Sequence, residues 1–289
     1  EVFRRFLDTF NLSISEESAS IISDAYVKNI CLYFEIGRYD YAKYIFEVFR
    51  RFLDTFNLSI SEESVFRISD AYVKTICRRI KEGDHDDAKY RIEVFRRFLD
   101  TFNLSISKDS VSRISDAYVE NICRRIKKGH HGGAKDAIKS FRGFLDTFNL
   151  SISEESASII SDAYVENICE CIKKGDYDYA KHRIKRFRSF LDIFNLSISK
   201  DSVSRISDGY FKDIYECIED DNYDDAEARI DELKDFLADF GLKAEEKQVS
   251  KIMNSYASLI KHCIGKEEFD KADEFREKME KFKEEIEPQ

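Results

Sequence analysis

Tryptophan is absent from this chain of 289 residues, proline occurs once at Pro288, and there are only ten glycines. Proline and glycine are the residues that break helices, so their scarcity leaves room for long uninterrupted ones. Long apolar runs are missing as well. No stretch approaches the roughly 18 residues that cross a bilayer as a helix, and no basic, apolar and small-residue succession resembles a secretory signal. No membrane role is expected, and a cytoplasmic location is the default. A strong field of one sign is also lacking over most of the chain. The net charge is −10, yet residues 213–289 hold 12 Lys+Arg against 24 Asp+Glu, leaving 35 against 33 in residues 1–212. The acidic end repels nucleic acid, and the near-neutral body steers neither anions nor cations.

Catalytic vocabulary is thin. There is no glycine-rich phosphate loop and no His-Glu-x-x-His. The histidines His85, His130, His131, His182 and His262 lie mostly near turns, read as unrelated positions, and have no Ser or Cys partner. Cys169-x-Cys171 is a lone pair of thiols without the further ligands that zinc needs. No catalytic residue, metal or cofactor is therefore expected, and the chain reads as a non-enzyme.

What the sequence does contain is repetition. Phe-Leu-Asp-Thr-Phe-Asn-Leu-Ser-Ile-Ser recurs with Leu7, Leu53, Leu99, Leu145 and Leu191 in register, a period of 46 residues without an insertion, and Leu237 marks a fainter sixth copy. Such a period is the signature of a solenoid. The expected organisation is one helical-repeat domain over 1–289: the end of a truncated repeat at 1–14, repeats at 15–60, 61–106, 107–152, 153–198 and 199–244, and a capping repeat at 245–289. The seven cysteines follow the same period, as Cys31, Cys77, Cys123 and Cys169, then Cys171, Cys217 and Cys263. Equivalent positions in packed helices lie about 10 Å apart, too far for a disulfide. Buried small thiols in a reducing compartment are expected.

One unit shows how the copies fold. Ser61 is a candidate N-cap with Glu62 and Glu63 in the first turn, and Ile60 with Val65 makes a hydrophobic staple. Val65, Ile68, Tyr72, Ile76 and Ile80 form a helical stripe that stops at Gly83, defining helix A. Asp84 then caps helix B, which carries Ala88, Ile92, Phe95, Phe98, Leu99 and Phe102 on one face. Its end is marked by Asn103. The equivalents Asn11, Asn57, Asn149 and Asn195 give way to Gly241, and Asn and Gly share a tolerance for positive φ. Each Asn also opens an Asn-Leu-Ser sequon, but the helix cap accounts for it. In the third unit, Gly132 and Gly133 are expected to delay helix B, and Gly143 to loosen it, giving a local hinge.

Antiparallel helix pairs repeated in this way make an all-α solenoid of about six two-helix repeats. The turn between the helices adds a resemblance. Gly175-Asp176-Tyr177-Asp178-Tyr179-Ala180 and Gly37-Arg38-Tyr39-Asp40-Tyr41-Ala42 are similar to the Gly-x-Tyr-Asp-x-Ala corner of tetratricopeptide repeats. That family has a period of 34 residues, a Trp-x-x-Leu-Gly pattern and a closing Pro that are absent here, and helices roughly six residues longer account for the difference. The resemblance implies a right-handed tetratricopeptide-like superhelix that binds protein.

Helical angles pick out the polar face of helix A. With Val65 as zero, Asp70, Lys74 and Arg78 fall at about 140°, 180° and 220°, facing away from the core. The first column runs Asp24, Asp70, Asp116, Asp162 and Asp208; the second includes Lys28 and Lys74; the third changes from Arg78 and Arg124 to Glu170 and Glu216. These residues are the candidate binding site for an extended peptide or helix of a protein partner. The plainer alternative is a solvated face in which Arg67 and Asp70, Arg113 and Asp116, and Arg205 and Asp208 pair at i, i+3, each worth tenths of a kcal/mol.

Two further columns matter. Asn29, Thr75, Asn121, Asn167 and Asp213 flank the core and are expected to hydrogen-bond between repeats. Arg4, Arg50, Arg96, Arg142 and Arg188 on helix B are each followed four residues later by Asp8, Asp54, Asp100, Asp146 and Asp192, which neutralise them and make nucleic acid an unlikely partner. Self-association of the array into an oligomer or filament is the alternative to partner binding.

Overall fold

The computed structural model describes Arg5, Thr9 and residues 13–220, 222–241 and 246–286. Asn11, Arg4 and Asp8 lie outside these. Among the described residues there are no strands, and twelve helices alternate in two series. The A helices are α1 (Glu16–Glu35), α3 (Glu62–Glu82), α5 (Lys108–Lys127), α7 (Glu154–Lys173), α9 (Lys200–Glu219) and α11 (Glu246–Gly265). The B helices are α2 (Tyr39–Phe56), α4 (His85–Thr101), α6 (His131–Thr147), α8 (Tyr177–Phe194), α10 (Tyr223–Asp239) and α12 (Phe269–Ile286). The protein is an all-α helical solenoid. Its chain divides into two compact units, Glu1–Arg125 with Gly132–Ser156, and Ile126–His131 with Ala157–Gln289.

The helix ends follow from local chemistry. Ser61 adopts extended backbone and its hydroxyl accepts from the Ser64 amide at 3.2 Å, and Ser15 and Ser199 cap α1 and α9 in the same way. Gly83 closes α3 at φ 86°, and Asp84 caps α4 by accepting from the Asp87 amide. At the far ends of α2, α4, α6, α8 and α10 the backbone turns left-handed. Asn57, Asn103, Asn149 and Asn195 have φ between 52° and 53°, and Gly241 has φ 63°. The Leu104 amide then reaches the Leu99 carbonyl at 2.9 Å, and Leu58, Leu150 and Leu196 repeat the bond to Leu53, Leu145 and Leu191. This is the Schellman closure, and it requires a residue that tolerates positive φ.

In the four repeats from α1 to α8, one A-helix tyrosine lies against two B-helix phenylalanines. Tyr72 lies 5.2 Å from Phe95, Tyr118 5.2 Å from Phe141 and Tyr164 5.5 Å from Phe187, ring centre to ring centre. Phe95, Phe141 and Phe187 are fully buried. Aromatic burial of this size, with offset stacking, dominates the energy of the core. In the first unit α1 packs on α2 and on α3, and α3 on α4; in the second, α9 packs on α10 and α11, and α11 on α12. Within each unit these helix pairs lean on one another through their A helices, and in the second α8 also touches α10.

The expected delay of helix B in the third unit is not seen. α6 begins at His131, the repeat equivalent of His85 at the start of α4, so the glycines do not delay it. Gly133 serves packing instead: a Cβ there, or at Gly83, would overlap the guanidinium of Arg125. The glycines make room for an arginine.

Candidate functional site

The aspartate column on the A helices is mostly bound up in a ladder between repeats. Arg67 reaches back to Asp24 at 3.4 Å, Arg113 to Asp70 at 2.9 Å, Arg205 to Asp162 at 2.5 Å and Lys251 to Asp208 at 2.6 Å. Each hydrogen bond spans 43 residues. The i, i+3 pairing expected for Arg67 and Asp70 gives way to this longer-range one. An arginine three residues before an aspartate on one helix does reach an aspartate of its column, but the previous repeat's. Packing brings that carboxylate closer than the helix brings its own.

Asp70 also accepts from Lys74 at 2.8 Å. Burial would raise the Asp70 carboxyl, but the bonds from Lys74 and Arg113 outweigh it and hold the group below the usual carboxylate range. The same pairing raises Lys74. Lys28 is exposed. Arg78 donates to the Tyr39 hydroxyl at 3.0 Å, and Arg124 to the Lys81 carbonyl at 2.6 Å. Lys81 in turn pairs with Glu120 at 2.8 Å, and Lys127 with Glu166 at 3.4 Å, a second ladder beside the first.

Asp116 departs from its column. It is exposed, and among the described residues no cation lies within ion-pair distance of it. The position 43 residues further on, which supplies the cation elsewhere, carries Ile159. Asp116 instead lines a cleft of about 650 Å³ between α3 and α5, together with Lys74, Arg78, Lys81, Arg113 and Glu120. The structure thus brings Lys74, Arg78 and Asp116 of the sequence candidates into one groove. Asp24, Lys28, Asp162, Asp208 and Arg124 do not line it.

A neighbouring cleft of about 690 Å³ shares Arg113 with the groove and is lined by Asp70, Leu58, Val65, Phe66, Leu99, Phe102 and Leu104. Phe66 is 67% exposed. Its repeat equivalents Ser20, Ser112, Ser158, Ser204 and Ser250 are all serine, so the apolar ring is particular to the second full repeat. Sequence reasoning missed it, although the break in a serine column was the signal.

The remaining columns are structural. Cys31, Cys77 and Cys169 donate their thiols to the backbone carbonyls of Arg67, Arg113 and Arg205, each 36 residues on. They are half-buried on that seam, so the expected full burial holds only for Cys171 and Cys263. Burial pushes the Cys77 thiol up to about 11, with Arg113 pulling the other way. The Asn column is mixed: Asn121 donates to the Ile80 carbonyl of the previous repeat at 2.7 Å, whereas Thr75 bonds within its own helix and Asn167 accepts from Arg183. On the B helices, Arg50, Arg96 and Arg142 pair with Asp54, Asp100 and Asp146 as expected, while Arg188 reaches Asp239 at 3.5 Å.

The turn between A and B helices carries a feature the sequence reading passed over. The Arg91 guanidinium lies 3.2 Å from the centre of the Tyr39 ring, and Arg229 lies 3.1 Å from that of Tyr177. Arg91 is only 3% exposed and bonds to Asp87, and Tyr177 donates to Asp213. Desolvated cation–π contacts of this kind reach about 2 kcal/mol. The signal was an arginine inside the apolar stripe of helix B.

No protein-family model matches the chain, and no curated protein matches its sequence. Among solved structures, the crystal structure of BtubC (BKLC) from P. vanneervenii is similar over 92% of this chain and 94% of its own, at 12% identity and a TM-score of 0.23. A Rap protein complexed with Competence and Sporulation Factor is similar over 90% of this chain and 74% of its own, at 13% identity and a TM-score of 0.19. Scores this low leave the fold to rest on the helices themselves and lend nothing to function. No helix among the described residues is long and apolar enough to cross a membrane.

Proposed function

We propose that this chain is a non-enzymatic, cytoplasmic, tetratricopeptide-like scaffold that captures an extended segment of a protein partner on its A-helix face. The observation that supports the reading is Asp116. In a column where each other described aspartate receives a cation from the following repeat, this one lines a groove and has no ion-pair partner among the described residues. A lysine or arginine of the partner would complete the ladder at that rung. The adjoining cleft around Phe66 offers an apolar pocket, so the favoured segment carries one basic and one apolar side chain.

Selection of extended peptides from a random displayed library by the intact chain tests this. Peptides combining a basic and an apolar residue should be enriched, Asp116→Lys should remove the basic preference, and Phe66→Ser should remove the apolar one. Serine occupies that position in five other repeats, so the second variant preserves the fold. Identical selections by wild type and both variants would refute the assignment.

Self-association is the second reading, favoured by one observation: Ile21 and Leu32 on α1 and Ile36 at its C-cap are 63%, 47% and 55% exposed. Ile21 occupies the column of the ladder cations Arg67 and Arg113. Light scattering that rises with concentration, and is abolished by Ile21→Arg, would support it.

A further inference from the structure

The histidines at the turns are not scattered. His85 and His131 stand one repeat apart, at the position that Tyr39, Tyr177, Tyr223 and Phe269 hold in other copies. Each lies in the field of a guanidinium of the following helix pair, Arg125 for His85 and Arg183 and Arg186 for His131, where Tyr39 meets Arg91 and Tyr177 meets Arg229 face on. In the first unit, the His85 ring lies parallel to Tyr118 of α5, at 6.5 Å and 15°. Both of its ring nitrogens are buried without a hydrogen-bond partner. Arg125 of α5, held by Asn121 at 2.8 Å, fills the space left by Gly83 and Gly133 nearby. The acids around this ring are Asp84 and Asp86 at the start of its own helix and Asp136 on α6. In the second unit, His131 has a buried Nδ1 without a partner and faces His182, Arg183 and Arg186 of α8, with His130 beside it in the chain.

We propose that His85 and His131 make their two corners acid-labile couplings, closed while the imidazole is neutral and loosened when it is protonated against the neighbouring guanidinium. A neutral ring adds no charge to this slot, and at His85 it lies parallel to Tyr118. A protonated one presents N–H groups with nothing to receive them, both of them at His85 and Nδ1 at His131, in the field of a neighbouring guanidinium. Burial first and Arg125 second hold His85 below the ordinary imidazole value, against the opposite pull of Asp136, Asp86 and Asp84. For His131 burial again leads, and Arg183, Arg186, His182 and His130 all act in the same direction. The sign follows from linkage. The open corner binds the proton more readily than the closed one, so coupling is complete above the free-histidine value of about 6.5 and is lost as pH falls through the lower value of the closed state. Tyrosine corners have no such transition near neutrality. The inference stands whether or not the groove binds a partner.

Hydrogen exchange of the intact chain at pH 7.5 and 5.5, corrected for the intrinsic pH dependence of exchange, tests it. Protection at the starts of α4 and α6 should drop at pH 5.5 relative to the start of α8, where Tyr177 stands. His85→Tyr and His131→Tyr should each retain protection at their own corner, and the double variant should lose fewer degrees of thermal midpoint between the two pH values than wild type. Tyrosine already fills the position three times, so the substitution suits the slot. An equal loss in the double variant would overturn the proposal. So would imidazole resonances of wild-type His85 and His131 that titrate at or above free histidine, a measurement that decides the matter even if a variant does not fold.

Discussion

The α3–α5 junction and the α7–α9 junction are built from the same columns and put them to different ends. Both have the carboxylate-to-arginine rung, Asp70 with Arg113 and Asp162 with Arg205, and both have a cysteine thiol donating to the arginine's carbonyl. Both rest on a stacked tyrosine and phenylalanine pair. The outward column differs: Arg78 and Arg124 at the first, Glu170 and Glu216 at the second. The corner ring differs too, His85 against Tyr177. At these two junctions the rung and the stacked pair keep their chemistry, because a change there leaves a partly buried group unpaired or a void. The outward column faces water and is held by nothing of the kind, so it changes sign.

The sharpest test of the shared part is deletion in the core. Phe95→Ala and Phe187→Ala should each cost about 3–5 kcal/mol in denaturant unfolding, and a clear inequality between them would break the equivalence of the junctions. The corner contacts come next. Tyr39→Leu should cost about 2 kcal/mol through loss of the desolvated contact with Arg91, and Tyr177→Leu more, because Tyr177 also donates to Asp213. Asn149→Ala should cost about 1 kcal/mol through strain at φ 53°, whereas Asn149→Gly should be close to neutral by the same assay.

The smallest effects on stability separate the rungs. Asp70→Asn should cost up to about 1 kcal/mol, and Asp162→Asn, more exposed and more screened, less than that. Asp116→Asn should leave the unfolding midpoint unchanged while weakening capture of basic peptides. Because Asp70 is held below its unfolded value, its contribution is present above about pH 4 and is lost as pH falls through the lower folded value; Asp70→Asn should therefore flatten the acid limb of the stability curve.

The helices, their caps and the core faces were legible because they depend on residues within one turn of one another. Ser61, Gly83, Asp84 and Asn103 announce their roles through local backbone chemistry alone. The ladder was half legible. The columns of Asp and Arg were plain in the period, but the assignment of Arg67 to Asp70 failed, since the true partner, Asp24, comes close only when two A helices pack. The groove at Asp116 was hidden for the same reason: its lining comes together only where α3 and α5 pack. Gly133 of α6 misled because a helix-breaking tendency was weighed without the Arg125 side chain that needs its space. His85 and His131 were overlooked although one period separates them.

The sequence by itself determined the helix pairs, their 46-residue spacing and the left-handed Asn closures, because periodic burial and local φ preference act along the chain. Only the tertiary structure decided which charges are consumed in bridging repeats, which carboxylate is left facing a cleft, and which rings lie against guanidinium groups. Those outcomes depend on distances between atoms some 36 to 43 residues apart, set by how one helix pair seats on the next.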